Sequence, residues 1–494
     1  MKKLSSLTFP LLVVGFMTGC TSLGPDFTTP NTETEKEWLN YEKKDLGSTP
    51  PLQVKWWQDA FHDKTLNKLV DTSLKENLTL RSAGLRVMQS RQKLAIAIGD
   101  QYPQTQEIQG GASTGAPMRS STTQQYGTSF NLSWETDVWG RFSRQIESAS
   151  AELNATVADY DGVMISLISE VSQTYFLIRT NQTRLKLAKK NLKLQRESLR
   201  ITVAKFNAGD ASALDQKQAE TLLYNTEATI QTIEPLLQQE KNSLAILMGK
   251  PPHDMSRALG RYKPVPVVRG EISLGMPQNI IRRRPDIRAA ERRLASQSAQ
   301  IGYAITDLYP QFVLGGSVGT DVRNEGSNLF NSHYSNWDSF VSFQWKIFNY
   351  GRLKSNVRLQ DAIFQQELED YRETVLEAQG EVENAIVAFF ASEKQIYSYA
   401  KAVNSSREAA VLARLQYEDG LVNYNTVITT LQTLAQQEDT LAQTKGDAVL
   451  NLIDVYKALG GGWEIRNNRL PDQLLPKTTF NEMLKRTDYW KGKL

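Results

Sequence analysis

The segment Phe130–Phe142, FNLSWETDVWGRF, changes its periodicity midway, and that change restricts what the chain can fold into more than any other feature. Phe130, Leu132, Trp134 and Val138 fall on one side of an extended chain, with Asn131, Ser133, Glu135 and Asp137 on the other. This is a strand with one apolar and one acidic-polar face. Trp139 and Gly140 end the alternation, and from Arg141 the apolar spacing is helical for about 65 residues. The same pattern returns 211 positions later as Val341–Leu353, VSFQWKIFNYGRL, with Trp345 for Trp134, Gly351 for Gly140 and Arg352 for Arg141.

The rest of the chain follows this duplication. Asp286-Ile287-Arg288-Ala289-Ala290 aligns with Thr79-Leu80-Arg81-Ser82-Ala83, and Tyr309-Pro310-Gln311 with Tyr102-Pro103-Gln104, at an offset of 207. Beyond the hairpins the offset is 211: Tyr160 meets Tyr371, Phe206 meets Tyr417, Gly209 meets Gly420 and Gly249 meets Gly460. Pro235, which interrupts the first return helix, meets Gly446. A register held this long marks an internal repeat. The expected organisation is a signal peptide over 1–19, an extended tether over 20–55, a first repeat over 56–260, a linker over 261–283, a second repeat over 284–462 and a C-terminal segment over 463–494. The first repeat holds a helical region from Trp56, a hairpin over 104–138, a long helix over 141–207 and a return helix over 211–248. The second holds a helix, a hairpin over 311–348, a long helix over 352–418 and a return helix over 424–459.

The N-terminus reads as an export signal. Lys2 and Lys3 precede the apolar stretch Phe9–Met17, which ends in Met17-Thr18-Gly19-Cys20. The sole cysteine, Cys20, sits where a bacterial lipoprotein carries its lipid, so Cys20 is the expected acylated N-terminus of the mature chain, and no other cofactor is expected. Thr21 after it directs such a chain to the outer membrane. The formal charge is +3, of which Lys2 and Lys3 account for two, and this gives no case for nucleic acid. Three scattered histidines and one cysteine give no metal site, and no constellation of catalytic side chains is visible, so an enzyme is not expected.

A helix from Arg141 to Phe206 is about 100 Å long, more than a compact domain can bury. Two such helices and their return helices need partners along their whole length. The four strands admit two readings. Alternation suits a half-buried soluble sheet, but it also suits tilted membrane strands of about 9 to 11 residues. The lipid signal and the polar inner face favour the second, with Trp134, Trp345 and Phe340 as interfacial aromatics. Four strands cannot close by themselves and open edges are prohibitive in lipid. Closure needs at least two chains, and three give 12 strands around a lumen lined near the joint by Glu135 and Asp137.

The chain resembles the outer-membrane factors of the TolC-like efflux family, in its acylated NodT/OprM-type branch. The resemblance is carried by Gly24-Pro25-Asp26-Phe27, Trp134–Arg141, Arg283–Glu291, the turn Tyr417–Tyr424 and Lys457–Trp463. It implies a mixed α and β membrane protein: a homotrimer whose 12-stranded outer-membrane β-barrel, four strands per chain, is continuous with a long periplasmic α-helical barrel. It implies passive export of small toxic compounds, driven by an inner-membrane transporter and bridged by a periplasmic adaptor protein. An outer-membrane conduit for protein secretion uses the same fold, and a purely structural lipoprotein spanning the periplasm is a third reading.

The run Arg282-Arg283-Arg284-Pro285-Asp286 is explained structurally: Pro285 suits a first helical position, Asp286 a first turn, and Arg284, Arg288 and Arg292 recur every four residues. The two helix-to-helix turns are the better functional candidates. Ser212 and Asp215 fit a capping box. Glu418 and Asp419 stand in a last helical turn, where negative charge opposes the helix dipole, so they read either as an acidic ring at a periplasmic mouth or as a solvated turn. The resemblance also implies a gate in which Tyr417 bonds Asp215. Because Val422 replaces a charged position of the family, packing around Leu421, Val422 and Tyr424 is expected to hold the turn shut.

Overall fold

The computed structural model describes residues 22–31, 38–39, 54–116, 122–267, 282–323 and 332–491, so the signal segment, Cys20 and most of the expected tether lie outside the described residues. The chain divides into two compact units, one of residues 1–32, 86–158 and 288–374, the other of residues 33–85, 159–287 and 375–494.

The first unit contains a four-stranded antiparallel sheet of β1 (Thr105–Gly115), β2 (Thr123–Glu135), β3 (Gln311–Arg323) and β4 (Ser335–Gln344), in that spatial order. β1 and β4 are its edges. Register places Ile108 opposite Phe130, Phe130 opposite Val318 and Val318 opposite Trp337, one apolar row across all four strands. A second row joins Trp134, Leu314 and Val341. The opposite face carries Glu107, Asn131 and Ser317 in one row, then Asp338 beside Ser317. Within the chain the apolar row is uncovered, with Ile108 79% and Trp337 76% exposed. Phe340 departs from expectation: it pairs with Gly315 and so lies on the polar face, away from Trp134. Its ring covers Gly315, where any Cβ would collide with it.

β2 ends at Glu135, three residues before Val138, and the helix α4 (Arg141–Ala208, 68 residues) follows Gly140. Gly140 has φ +75°, and its repeat partner Gly351 has φ +81° before the 67-residue helix α8 (Arg352–Glu418). This left-handed turn, open to glycine at little cost, converts strand direction into helix direction twice. The indoles repeat a bond as well as a residue type. Trp134 Nε1 donates to Gln101 O at 3.1 Å and Trp345 Nε1 donates to Leu308 O at 2.9 Å, positions related by the same offsets as the sequence repeat.

In the second unit the helical region from Trp56 is not one helix but α1 (Trp56–Phe61), α2 (Lys64–Glu76) and the start of α3 (Leu78–Gly99). His62 adopts φ 48°, and Asp63 and Asn77 each restart the chain as N-caps, accepting from Thr65 N at 2.7 Å and Leu80 N at 2.9 Å. The return helices α5 (Ala213–Leu247) and α9 (Tyr424–Ala458) are continuous, so Pro235 and Gly446 do not interrupt them; α6 (Ser256–Leu259) and α7 (Pro285–Thr306) fall between α5 and α8 in chain order. Ile233 and Leu237, on either side of Pro235, are buried and hold that helix in place. Gly446 leaves room for Thr180, whose side chain would meet any Cβ there.

The core of this unit is aromatic and ionic. Trp56 and Trp57 are wholly buried, and Trp56 stacks on Tyr456 at 4.9 Å. Arg284, in the basic run, is held by Asp286 at 2.7 Å, Glu381 at 2.6 Å and Ala458 O at 2.8 Å. Glu240 on α5 accepts from Asn181 Nδ2 at 2.6 Å, while its Oε2 is buried with no hydrogen-bond partner among the described residues. Burial pushes its carboxyl up to about 7, against the Asn181 bond and the Arg184 charge. The native state therefore binds this proton more tightly than the unfolded chain. The stability it contributes is complete below its ordinary 4.5 and lost as pH rises through about 7. Apparent Tm should fall between pH 5 and 8 in the wild type, and Glu240→Gln should flatten that fall; parallel pH profiles would count against the assignment.

Candidate functional site

The polar face of the sheet is self-supported. Gln125 Nε2 reaches both carboxylate oxygens of Asp321 at 3.0 Å, and Ser317 Oγ donates to Asp338. Gly111 and Gly127 pair in the middle of this face and Gly319 lies on β3, with no side chain to fill the concavity. A hollow of about 530 Å³ opens there, lined by Gln109, Ser113, Gln125, Ser129, Asp321 and Asn336 among others.

At the joint the two expected lumen carboxylates are both engaged. Asp137 accepts from Phe142 N at 2.9 Å, Ser143 N at 3.0 Å and Ser143 Oγ at 2.6 Å, which makes it the N-terminal cap of α4. Glu135 lies 3.6 Å from Arg141 Nη1, and Arg141 also meets Asp307 at 3.4 Å and the Tyr303 hydroxyl at 3.0 Å. At the joint Glu135 is thus paired with Arg141, and Asp137 caps the start of α4.

The two helical turns lie in the second unit. Gly209 (φ +84°) ends α4 and Gly420 (φ +76°) ends α8. Asp215 completes the expected capping box: its N–H donates to Ser212 Oγ at 3.1 Å, and its carboxylate accepts from Ser212 N at 3.0 Å. Tyr417 and Tyr424 pack ring to ring at 5.1 Å within a cluster of Ala219, Leu222, Val427 and Ile428, against which Val422 also lies. Tyr424 donates to or accepts from Ser198 Oγ at 3.0 Å and is 1% exposed. Leu421 is 73% exposed and stands outside the cluster.

Tyr417 makes no bond to Asp215 here. Its hydroxyl is buried beside Thr202; burial raises its pKa, the Thr202 hydroxyl opposes the shift and the Asp215 charge adds to it. The dipole of α8 is answered by a residue that the sequence did not single out. Lys205 Nζ donates to Tyr417 O at 2.8 Å and Glu418 O at 3.2 Å, and lies 4.6 Å from the centre of the Tyr417 ring. Its position in the last turn of α4, one turn before Gly209, was the available signal. Glu418 also meets Arg414 at 3.8 Å, and Asp419 is exposed.

No helix among the described residues is long and apolar enough to cross a membrane. The family model "Outer membrane efflux protein" matches residues 69–250 and 276–461, the two repeats. The chain is 30% identical to Nodulation protein T of Rhizobium leguminosarum bv. viciae over 93% of its own length and 94% of that protein. It is 29% identical to the solvent efflux pump outer membrane protein SrpC of Pseudomonas putida over 95% of this chain and all of that one. A solved structure of the outer-membrane channel OprN superposes with a TM-score of 0.84 at 29% identity, covering 90% of this chain and 100% of that one. An efflux-protein family, and not a catalytic one, accounts for this chain, and the duplicated strand-to-helix joint is the feature its two matched halves share. The chain belongs to the outer membrane efflux protein family.

Proposed function

We propose that this protein is the outer-membrane channel of a tripartite efflux system, passively conducting small toxic compounds delivered by an inner-membrane transporter and a periplasmic adaptor. The observation that carries this reading is the sheet with one apolar face, one polar face and two open edges. Such a sheet is stable in lipid only when copies of the chain close it, and three copies give the 12-stranded barrel. Glu135 then stands near the lumen, neutralised in part by Arg141. Cys20 carries the lipid. Relatives named for solvent, toluene and cation efflux support export of small molecules over protein secretion. A deletion strain should become more susceptible to solvents, detergents or drugs, and the restored gene should reverse this. Unchanged susceptibility alongside loss of a secreted polypeptide would favour the secretion reading.

The periplasmic turns are the gate in this reading, held by the Tyr417–Tyr424 cluster rather than by ion pairs. Tyr424→Ala removes a wholly buried ring and the Ser198 bond, a loss of about 3–5 kcal/mol at that cluster. In planar bilayers its conductance should rise at least about tenfold above the closed wild type. Leu421→Ala, at an exposed site, should leave it unchanged. Equal currents from Tyr424→Ala and wild type would remove the cluster from the gate.

A further inference from the structure

The segment Ser22–Phe27 does not behave as a loose tether. Leu23 N donates to Trp139 O at 3.1 Å. Arg144, whose side chain is 2% exposed, donates from Nε to Leu23 O at 2.9 Å and from Nη2 to Gly24 O at 3.2 Å and Asp26 Oδ1 at 3.0 Å, while its Nη1 meets Glu147 at 2.7 Å. Three glycines make the seat. A Cβ on Gly302 would stand 2.6 Å from Leu23 O, one on Gly140 would stand 2.7 Å from Ser22 Cα, and one on Gly24 (φ +95°) would run into the Gly302 backbone. Further along, Thr29 donates to Glu291 Oε1 at 3.1 Å. A buried guanidinium with all its strap contacts on backbone and carboxylate oxygens, beside glycines that admit no side chain, is a built docking site for one specific segment.

We infer that this seat is a clamp for the chain's own acylated N-terminus, with Arg144 as the positioning residue. The inference rests on the reading of Cys20 as the lipid-bearing residue. Covalent geometry keeps Cys20 within about 7 Å of Ser22, two residues on. Ser22 packs against Gly140, which follows Trp139 in the chain and precedes α4, and the indoles of Trp134 and Trp139 each donate to a backbone carbonyl. Tryptophans bonded in this way to backbone carbonyls suit a membrane interface. The clamp therefore delivers the acyl chains at the interfacial level of the same protomer's barrel strands. It converts the lipid from a flexible tether into an anchor with a fixed register, raising its effective concentration where the strands enter the bilayer.

The test uses the full chain in membranes. Mass analysis of the N-terminal peptide first reports whether Cys20 is acylated; an unmodified thiol overturns the lipid reading by itself. Cleavage at Asp26 by an Asp-specific protease then reports the seat. Arg144→Ala and Gly24→Ala should be cut at least about tenfold faster than wild type, each having lost charge-assisted bonds or close backbone contact. Equal cleavage rates overturn the clamp. Finally, Arg144→Ala should lower the yield of assembled, heat-modifiable oligomer in the Cys20 chain but not in a Cys20→Ser chain exported by an ordinary signal. An equal loss in both would make Arg144 merely structural and overturn lipid positioning. Should Arg144→Ala fail to accumulate, Gly24→Ala supplies the same comparison with Arg144 intact.

Discussion

Val318→Arg is expected to abolish the assembled oligomer, whereas Asn131→Arg should leave it intact. Val318 lies in the middle of β3, opposite Phe130 and Trp337 on the apolar face, and is 62% exposed within the chain. A guanidinium facing lipid near the midplane costs about 2–4 kcal/mol for each copy. The cost is repeated in every protomer of a closed barrel. Asn131 sits on the other face between Glu107 and Ser317, where an added cation meets a carboxylate and water. The check is the fraction of heat-modifiable oligomer in the membrane, compared between the two variants at equal expression. Equal yields would mean that the apolar face does not meet lipid, and the sheet would have to be reassigned as a soluble one.

Asp161→Ala is expected to release the C-terminal segment. Asp161 is wholly buried on α4, and Arg466, 7% exposed, reaches its two carboxylate oxygens at 2.8 and 3.1 Å while also donating to Arg469 O at 2.7 Å. Removing the carboxylate leaves a buried cation with one of its partners gone, a loss of about 3–5 kcal/mol. Replacing both partners by apolar residues of similar volume, as in Asp161→Leu with Arg466→Met, should recover most of it, because the desolvation of both charges disappears with them. Limited proteolysis between Arg466 and Arg486 and the apparent Tm report the effect. Equal sensitivity of the single and double variants would show that packing, and not the ion pair, holds the segment.

Much of the fold is legible along the chain because the sheet and the long helices are periodic and occur twice. The bounds of α8 follow from the repeat register and the glycines that flank it, and the apolar row through Phe130 from strand alternation. Failures cluster where a single side chain competes with periodicity. The run from Trp56 has a helical pattern throughout, yet His62 turns left-handed and Asp63 and Asn77 cap new helices. Pro235 looks like a break, yet α5 continues because Ile233 and Leu237 are buried on both sides. Phe340 looks like a belt aromatic, but strand register puts it over Gly315 on the polar face.

The functional residues divide in the same way. Asp215 as a cap could be read from Ser212 three residues earlier, since a capping box is local. Lys205, Ser198 and Arg144 act on partners 212, 226 and 121 positions away, and nothing in the chain order announces those meetings. Asp137 shows the limit from the other side: alternation assigned it to a face, but its nearest donors are the free N–H groups of the helix that starts four residues on.

By itself the sequence determined the duplication, the two-faced strands and the left-handed glycine joints, because periodicity and backbone freedom are properties of neighbours along the chain. Gly140 and Gly351, Gly209 and Gly420, and Gly249 and Gly460 all have positive φ, as their repeat positions require. Only the tertiary structure decided which charges are neutralised and by what: Arg141 for Glu135, Lys205 for the end of α8, Arg466 for Asp161, and Arg144 for the strap. A buried charge takes the nearest oxygen or donor in space, and that distance is set by how the elements pack.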